Sequence, residues 1–238
     1  MKKLLSMLLV VVILASCACA CAEGGITFRN VPWGSSFTEA KGIIQGIRWL
    51  DYSGENHGAD TIKDIVGIGS DVKTSNNNIN MYAYSSSSTK VTVAGYEVDE
   101  MKMYYAFTSA NGTVTRTEEN TALYAASYKF EPTDIDGVFA DLTGKLTFLY
   151  GEPTETRHDT NWTNDKYTYV IWNSADGDQV ILKMDDERES TWSTGNKIYL
   201  FYIWNQADVV LRAADDAVTA EKAGSESQNY GNGNTDGL

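Results

Sequence analysis

The chain has 238 residues, with 19 Lys and Arg against 32 Asp and Glu and a formal net charge of −13. That excess of acid excludes nucleic acid as a partner and adsorption to an anionic membrane surface, since both require a basic patch. Its three cysteines, Cys17, Cys19 and Cys21, stand together near the N-terminus, so no disulfide framework holds the body. Stability must come from an apolar core rich in aromatic side chains.

Lys2 and Lys3 precede an apolar run from Leu4 to Leu14. The run is too short for a permanent membrane helix, and residues 1–22 read as an export signal. Two processing routes fit. Leu14-Ala15-Ser16-Cys17 matches a lipobox, in which the Cys17 thiol is acylated and becomes the new N-terminus. Ala20-Cys21-Ala22 before Glu23 matches an A-x-A site that would free the chain. The first route gives a lipoprotein on the outer face of the cytoplasmic membrane, touching it only through the lipid; the second gives a secreted protein.

Beyond the signal, Ile26 to Phe28 alternates like a short strand, and Val31-Pro32-Trp33-Gly34 turns the chain. Ser36 with Glu39 forms a capping box, and Phe37, Ala40, Ile44 and Ile47 predict a helix from Phe37 to Arg48. Asp51 to Ser88 is rich in Gly, Asn and Ser, with a short helix near Asp60 to Val66 and a strand from Ile79 to Tyr84. From Lys90 the pattern becomes β: Val91 and Val93 alternate, Gly95 interrupts, and Val98 to Phe107 forms a long aromatic strand. Asn111-Gly112 marks a hairpin, and Ala122 to Phe130 the next long strand.

Thr133 with Asp136 predicts the start of a second helix, whose stripe is Ile135, Val138, Phe139, Leu142, Leu146 and Leu149. Gly151 and Pro153 stop it. Strands follow at Lys166 to Trp172, Gln179 to Met184 and Lys197 to Trp204, with a turn at Asp176-Gly177. Gln206 to Ala217 reads as a closing helix and 218–238 as a disordered polar tail. The fold class is therefore α+β: tandem helix-plus-antiparallel-sheet units over 26–130 and 131–217, with the helices on one face of the sheet.

Three segments carry a resemblance: Val31-Pro32-Trp33-Gly34-Ser35-Ser36, Val93-Ala94-Gly95-Tyr96 and Leu146 to Pro153 (LTFLYGEP). They resemble a group of small exported, lipoprotein-like proteins from gut Firmicutes, over about Ile26 to Tyr202. In layout alone the chain is similar to beta-lactamase inhibitory protein and to small outer-membrane assembly lipoproteins. The resemblance implies export and an α+β layout; its motifs are structural punctuation and imply no chemistry.

Catalytic patterns are missing from the sequence. His57 and His158 share no zinc spacing, and Ser70 has Ile68 and Val72 where a nucleophile elbow needs glycines. Asp176 and Asp178 flank a turn glycine, and Asp185, Asp186 and Glu187 end a strand without calcium-loop spacing. No cofactor-binding or metal-ligating set emerges, and no catalytic residue is assigned.

The aromatics of the last sheet are more telling. Tyr167, Tyr169 and Ile171 share one strand face and Trp172 the other. Trp162 and Trp192 sit in polar segments and read as partly exposed partner-binding residues. The chain is thus expected to be an extracytoplasmic binding module for an envelope protein or glycan, with a carbohydrate-active or carbohydrate-binding envelope protein as the alternative. The lipobox makes a sharp prediction: intact mass of the exported protein will show a diacylglyceryl adduct on an N-terminal Cys17, and Cys17→Ser will abolish it. An unmodified N-terminus at Glu23 refutes lipidation.

Overall fold

The first of the described residues form a turn with an unusual backbone. Arg29 and Asn30 both have positive φ, 52° and 63°, which folds Val31 back so that its N–H donates to the Phe28 carbonyl at 2.9 Å. The protein is seen here as a computed structural model describing residues 26–52, 61–72, 78–84, 91–110, 113–161, 164–188 and 195–231. Cys17, His57, the Asn111-Gly112 turn, Trp162 and Trp192 lie outside the described residues.

In chain order the elements are α1 (Phe37–Ile43), β1 (Leu50–Tyr52), α2 (Ile62–Val66), β2 (Asn78–Tyr84), β3 (Thr92–Val93), β4 (Tyr96–Glu97), β5 (Glu100–Phe107), β6 (Ser109–Ala110), β7 (Thr113–Val114) and β8 (Thr121–Phe130). They continue with α3 (Ile135–Tyr150), β9 (Glu155–Thr160), β10 (Lys166–Asn173), β11 (Gln179–Asp186), β12 (Lys197–Ile203) and α4 (Ala207–Gly231). The fold is α+β.

The two compact units interleave along the chain instead of meeting at residue 130. One holds 26–32, Tyr84–Met101 and Ala126–Asn205; the other holds Trp33–Ala83, Lys102–Ala125 and the segment from Gln206 onward. The tandem reading missed this because β5 and β8 each give residues to both units, and nothing in a strand's sequence marks such a crossing. None of the described helices is long and apolar enough to cross a membrane.

In the first unit the strand order is β8-β12-β11-β10-β9, with antiparallel pairing from β12 to β9. Helix α3 packs against β11 and β12. Ile135, Leu142 and Leu146 are buried, while Phe148 is 79% exposed. Asp134, one residue later than the sequence suggests, caps α3 by accepting the Gly137 N–H at 3.0 Å. Trp172 is buried, and its Nε1–H donates to the Gly151 carbonyl at 3.0 Å, just past the helix end. Phe28, Tyr128 and Tyr202 form an aromatic triangle, with Phe28 at 4.8 Å from Tyr128 and 5.5 Å from Tyr202.

Strands β3 and β4 are joined by Ala94 and Gly95, both left-handed at φ 54° and 91°. Two positive φ values match the right-handed twist of a tight hairpin, but an alanine there is strained. Helix α3 holds this turn down. Lys145 Nζ donates to the Ala94 carbonyl at 2.8 Å, and the Tyr96 hydroxyl donates to Asp141 at 2.7 Å.

In the second unit the order is β1-β2-β5-β8. The extended segment before α1 runs along β8: Gly34 N–H donates to Leu123 O and Leu123 N–H to Ser35 O. Thr121 Oγ1 accepts the Phe37 N–H at 2.8 Å, and the Phe37 ring meets Tyr105 and Trp49 edge-on at 5.6 and 5.7 Å. The capping box at Ser36 is present. Helix α1 ends at Ile43, not Arg48, because Ile44 is extended and Gly46 has φ +76°.

The tail reading fails over residues 218–231, where α4 continues through Gly231. Val218 and Ala217 are buried with Val114 against Phe107, and Glu221 accepts the Val114 N–H at 2.6 Å while facing Arg116 at 3.4 Å. A polar stretch is helical here because tertiary contacts, invisible to local composition, hold its second half.

The buried stripe of α3 carries a stability prediction. Leu142, fully buried, will cost about 2–5 kcal/mol when cut to alanine, from lost transfer energy plus a cavity. Urea unfolding of Leu142→Ala measures it; an unchanged midpoint would place the stripe outside the core.

Candidate functional site

Side chains on a strand alternate between faces, so the register of β9 to β12 determines which groups meet. Directly opposed residues form rungs. One rung runs Arg157, Tyr169, Lys183, Tyr199; the next runs Asp159, Tyr167, Asp185, Lys197; a third runs Glu155, Ile171, Ile181, Phe201. Residues two apart share a face, so all three rungs lie together. Ile171, Ile181 and Phe201 of the third rung are buried and its Glu155 is exposed, while the first two rungs combine phenol rings with both signs of charge.

Lys183 is the centre of this face. Its ammonium lies 4.8 Å from the Tyr167 ring centroid, 5.5 Å from Tyr199 and 5.9 Å from Tyr169. Its side chain is only 12% exposed, and Nζ stands 3.0 Å from Asp185 Oδ1, whose side chain is 13% exposed. Oδ1 forms no hydrogen bond of good geometry, so the contact is ionic. A desolvated cation gains roughly 2 kcal/mol from an aromatic face. That gain, with the ion pair, offsets the cost of holding charge this far from water.

The electrostatics are consistent with that geometry. Burial pushes the Asp185 carboxyl above its usual range, against the pull of Lys183 and Lys197. Burial also raises the Tyr167 phenol to about 12, with Asp165 and Asp185 adding to the shift. Tyr169 rises to about 12, from burial and the charges of Asp185 and Asp159. Tyr199 is pushed up by burial and by Asp185, Glu100, Glu131 and Glu187. Each of the three rings therefore sits near several carboxylates. Tyr169 is buried; Tyr167 and Tyr199 are half-buried and reach solvent.

The rest of the face is braced. Arg157 pairs with Asp159 at 2.8 Å, and Lys197 stands 3.7 Å from Glu187. Asn161 donates to Asp165 at 2.6 Å and to the Tyr167 hydroxyl at 3.0 Å. Arg188 clamps the β11 end to α3, contacting Asp186 and Asp136 each at 2.7 Å. Thr160, Lys166, Asp186 and Lys197 stand at one end of the four strands, so the β9–β10 and β11–β12 connections leave the sheet together there.

The residues singled out in the sequence fall differently. Trp162 and Trp192 lie outside the described residues. Trp172 belongs to the core under α3, as its opposite alternation implies. His158 is exposed on β9 with Nδ1 3.1 Å from Thr168 Oγ1. Asp178 is buried as a turn anchor, accepting the Asn205 N–H at 2.9 Å, and Asp186 is held low chiefly by its hydrogen bond from Arg188. Among the described residues no group of three or more His, Cys, Asp or Glu is placed to hold a metal ion. The sequence reading overlooked Lys183 and Tyr199. A single lysine inside Gln179 to Asp186, in phase with Asp185, was the available signal.

In the second unit a cavity of about 480 Å³ is lined by Ser70, Asp71, Val72, Arg212, Asp215 and Asp216. It is open and acidic, and Asp71 pairs with Lys63 at 2.9 Å.

No protein-family model, no curated protein and no solved structure matches the chain.

The ion pair beneath the tyrosines can be tested by a double-mutant cycle. Lys183→Met strands the buried Asp185 charge and will destabilise by about 3 kcal/mol, whereas Lys183→Met with Asp185→Leu will recover most of the loss. Equal destabilisation by the single and double variants would show that the ammonium, and not its pairing, dominates.

Proposed function

We propose that the chain is an extracytoplasmic binding module that acts without turnover. The observation supporting this is the face on β9 to β12, where the partly exposed Tyr167 and Tyr199 and paired charges are fixed on one sheet. Its charged groups are engaged with each other: Lys183 with Asp185 and Arg157 with Asp159. That arrangement suits recognition, since catalysis needs a group free to transfer a proton or attack.

Export rests on the N-terminal signal, and the lipobox at Cys17 argues for a lipid anchor outside the cytoplasmic membrane. The partner class is an envelope protein or an envelope glycan. Kinship with the exported proteins of gut Firmicutes belongs to the same proposal. The three segments behind it are the turn before α1, the β3–β4 turn and the end of α3.

Carbohydrate binding is the second reading, and the partly exposed rings of Tyr167 and Tyr199 on one sheet face favour it, because an accessible ring can stack on a sugar. Trp162 and Trp192 join either reading through their polar sequence context.

The test immobilises the mature chain and measures retention of envelope proteins and of purified envelope glycan. Trp162→Ala and Trp192→Ala are each expected to weaken capture about 30-fold, the equivalent of losing about 2 kcal/mol from an aromatic anchor. Retention identical to wild type in both variants removes the tryptophans from the site. Release of reducing sugar from the glycan would overturn the non-catalytic reading and favour a carbohydrate-active protein.

A further inference from the structure

We infer that the outer edge of β9 pairs with β9 of a second copy of this chain, antiparallel about a two-fold axis through His158. The two sheets then join into one. This goes beyond the binding reading above and does not depend on it.

Strand β9 ends the row β12-β11-β10-β9, and among the described residues it pairs with β10 alone. An edge strand presents a row of backbone N–H and C=O groups that a further strand can use. Residues 155–160 are exposed except for the half-buried Asp159. Their sequence, Glu-Thr-Arg-His-Asp-Thr, has neither the proline nor the lysine that commonly blunts such an edge. Its guard is the charge of Glu155, Arg157 and Asp159, which alternation places on one face.

Symmetry narrows the possible registers. A two-fold axis relating antiparallel strands of one sheet stands normal to it and keeps each face on its own side. One residue is then opposite its own copy. Centring on Arg157 opposes two arginines and sets Glu155 against Asp159. Centring on Asp159 opposes two aspartates. Only the register centred on His158 sets Arg157 opposite Asp159 of the second copy, and Asp159 opposite its Arg157.

Opposed side chains on a ladder lie about 5 Å apart, where unlike charges stabilise and like charges destabilise. Within one chain Arg157 already meets Asp159 at 2.8 Å, with side chains 47% and 35% exposed. Joining two edges completes a square of alternating charge and strands neither residue. On the other face Thr156 is opposite Thr160 on both sides of the axis, a favourable cross-strand pair. Glu155 falls opposite Asn161, just past the strand. The charges that exclude the neighbouring registers thus admit this one. A ladder over residues 156–160 is a small contact, so the dimer is weak and reversible.

The experiment follows the mature chain in reducing buffer by sedimentation velocity, from about 5 to 500 µM. Wild type is expected to pass from monomer to dimer within that range. Arg157→Glu and Asp159→Arg each create two like-charge oppositions and should weaken self-association at least about tenfold. Both substitutions in one chain restore unlike charges and should return the dimer to within about threefold of wild type. Mixing the two single variants should give a heterodimer, because each then sets its charges against opposite ones. Each substitution moves the net charge of −13 by only two, so both variants stay acidic and diffuse attraction does not produce that result.

A chain that stays monomeric throughout overturns the inference. So does a dimer that all three variants leave unchanged, since it would lie on another surface. Failure of the double variant to recover, when circular dichroism shows it folded, overturns it as well. If the variants misfold, amide exchange of the wild type decides. Exchange within 155–160 should slow as concentration rises, and exchange independent of concentration refutes the pairing. Capture of an envelope partner by a strictly monomeric chain removes the self-pairing and leaves the binding module standing.

Discussion

The alternation of side chains along β9 to β12 is the constraint on which the candidate site depends. Because the period is two, a slip of one residue would send Tyr167, Tyr169, Lys183 and Tyr199 to the helix-covered side and bring Trp172, Leu182 and Leu200 out to theirs. The register is therefore fixed from both faces. Trp172 and Leu142 lock the α3 side, and the Lys183 ammonium among phenols locks the other. A single pairing thus settles both which side chains form the core under α3 and which form the tyrosine face.

Much of the outline was legible in the sequence because it rests on local chemistry. The capping box at Ser36, the stripe of α3 and the Tyr167/Tyr169 alternation all depend on residues within a few positions of one another. Three features escaped for a different reason. Strand β9, Glu155 to Thr160, is wholly polar, since as the edge strand it has little core to fill. The second half of α4 depends on Val114 and Arg116, more than a hundred residues away. The Lys183 cluster exists only across strands, so no window along the chain contains it.

The segments that resembled an exported family acquire a physical meaning. Pro32 to Ser36 lays the chain along β8 and caps α1. Val93 to Tyr96 is the left-handed turn clasped by Lys145 and Asp141. Gly151 ends α3 and receives the Trp172 indole. Each is a junction where one backbone conformation is required, so a resemblance at these segments concerns backbone geometry and has no bearing on chemistry.

The Phe28–Tyr128–Tyr202 triangle has a kinetic consequence. It joins residues separated by nearly the whole body of the chain, so its closure must wait until β12 exists. Contacts of such long sequence separation slow folding, because loop entropy is lost before they contribute. A nascent chain of this design cannot close its aromatic core until β12 has been made. Strand β12 is the last described strand along the chain, so the aromatic lock is closed by the strand that is synthesised after all the others it joins.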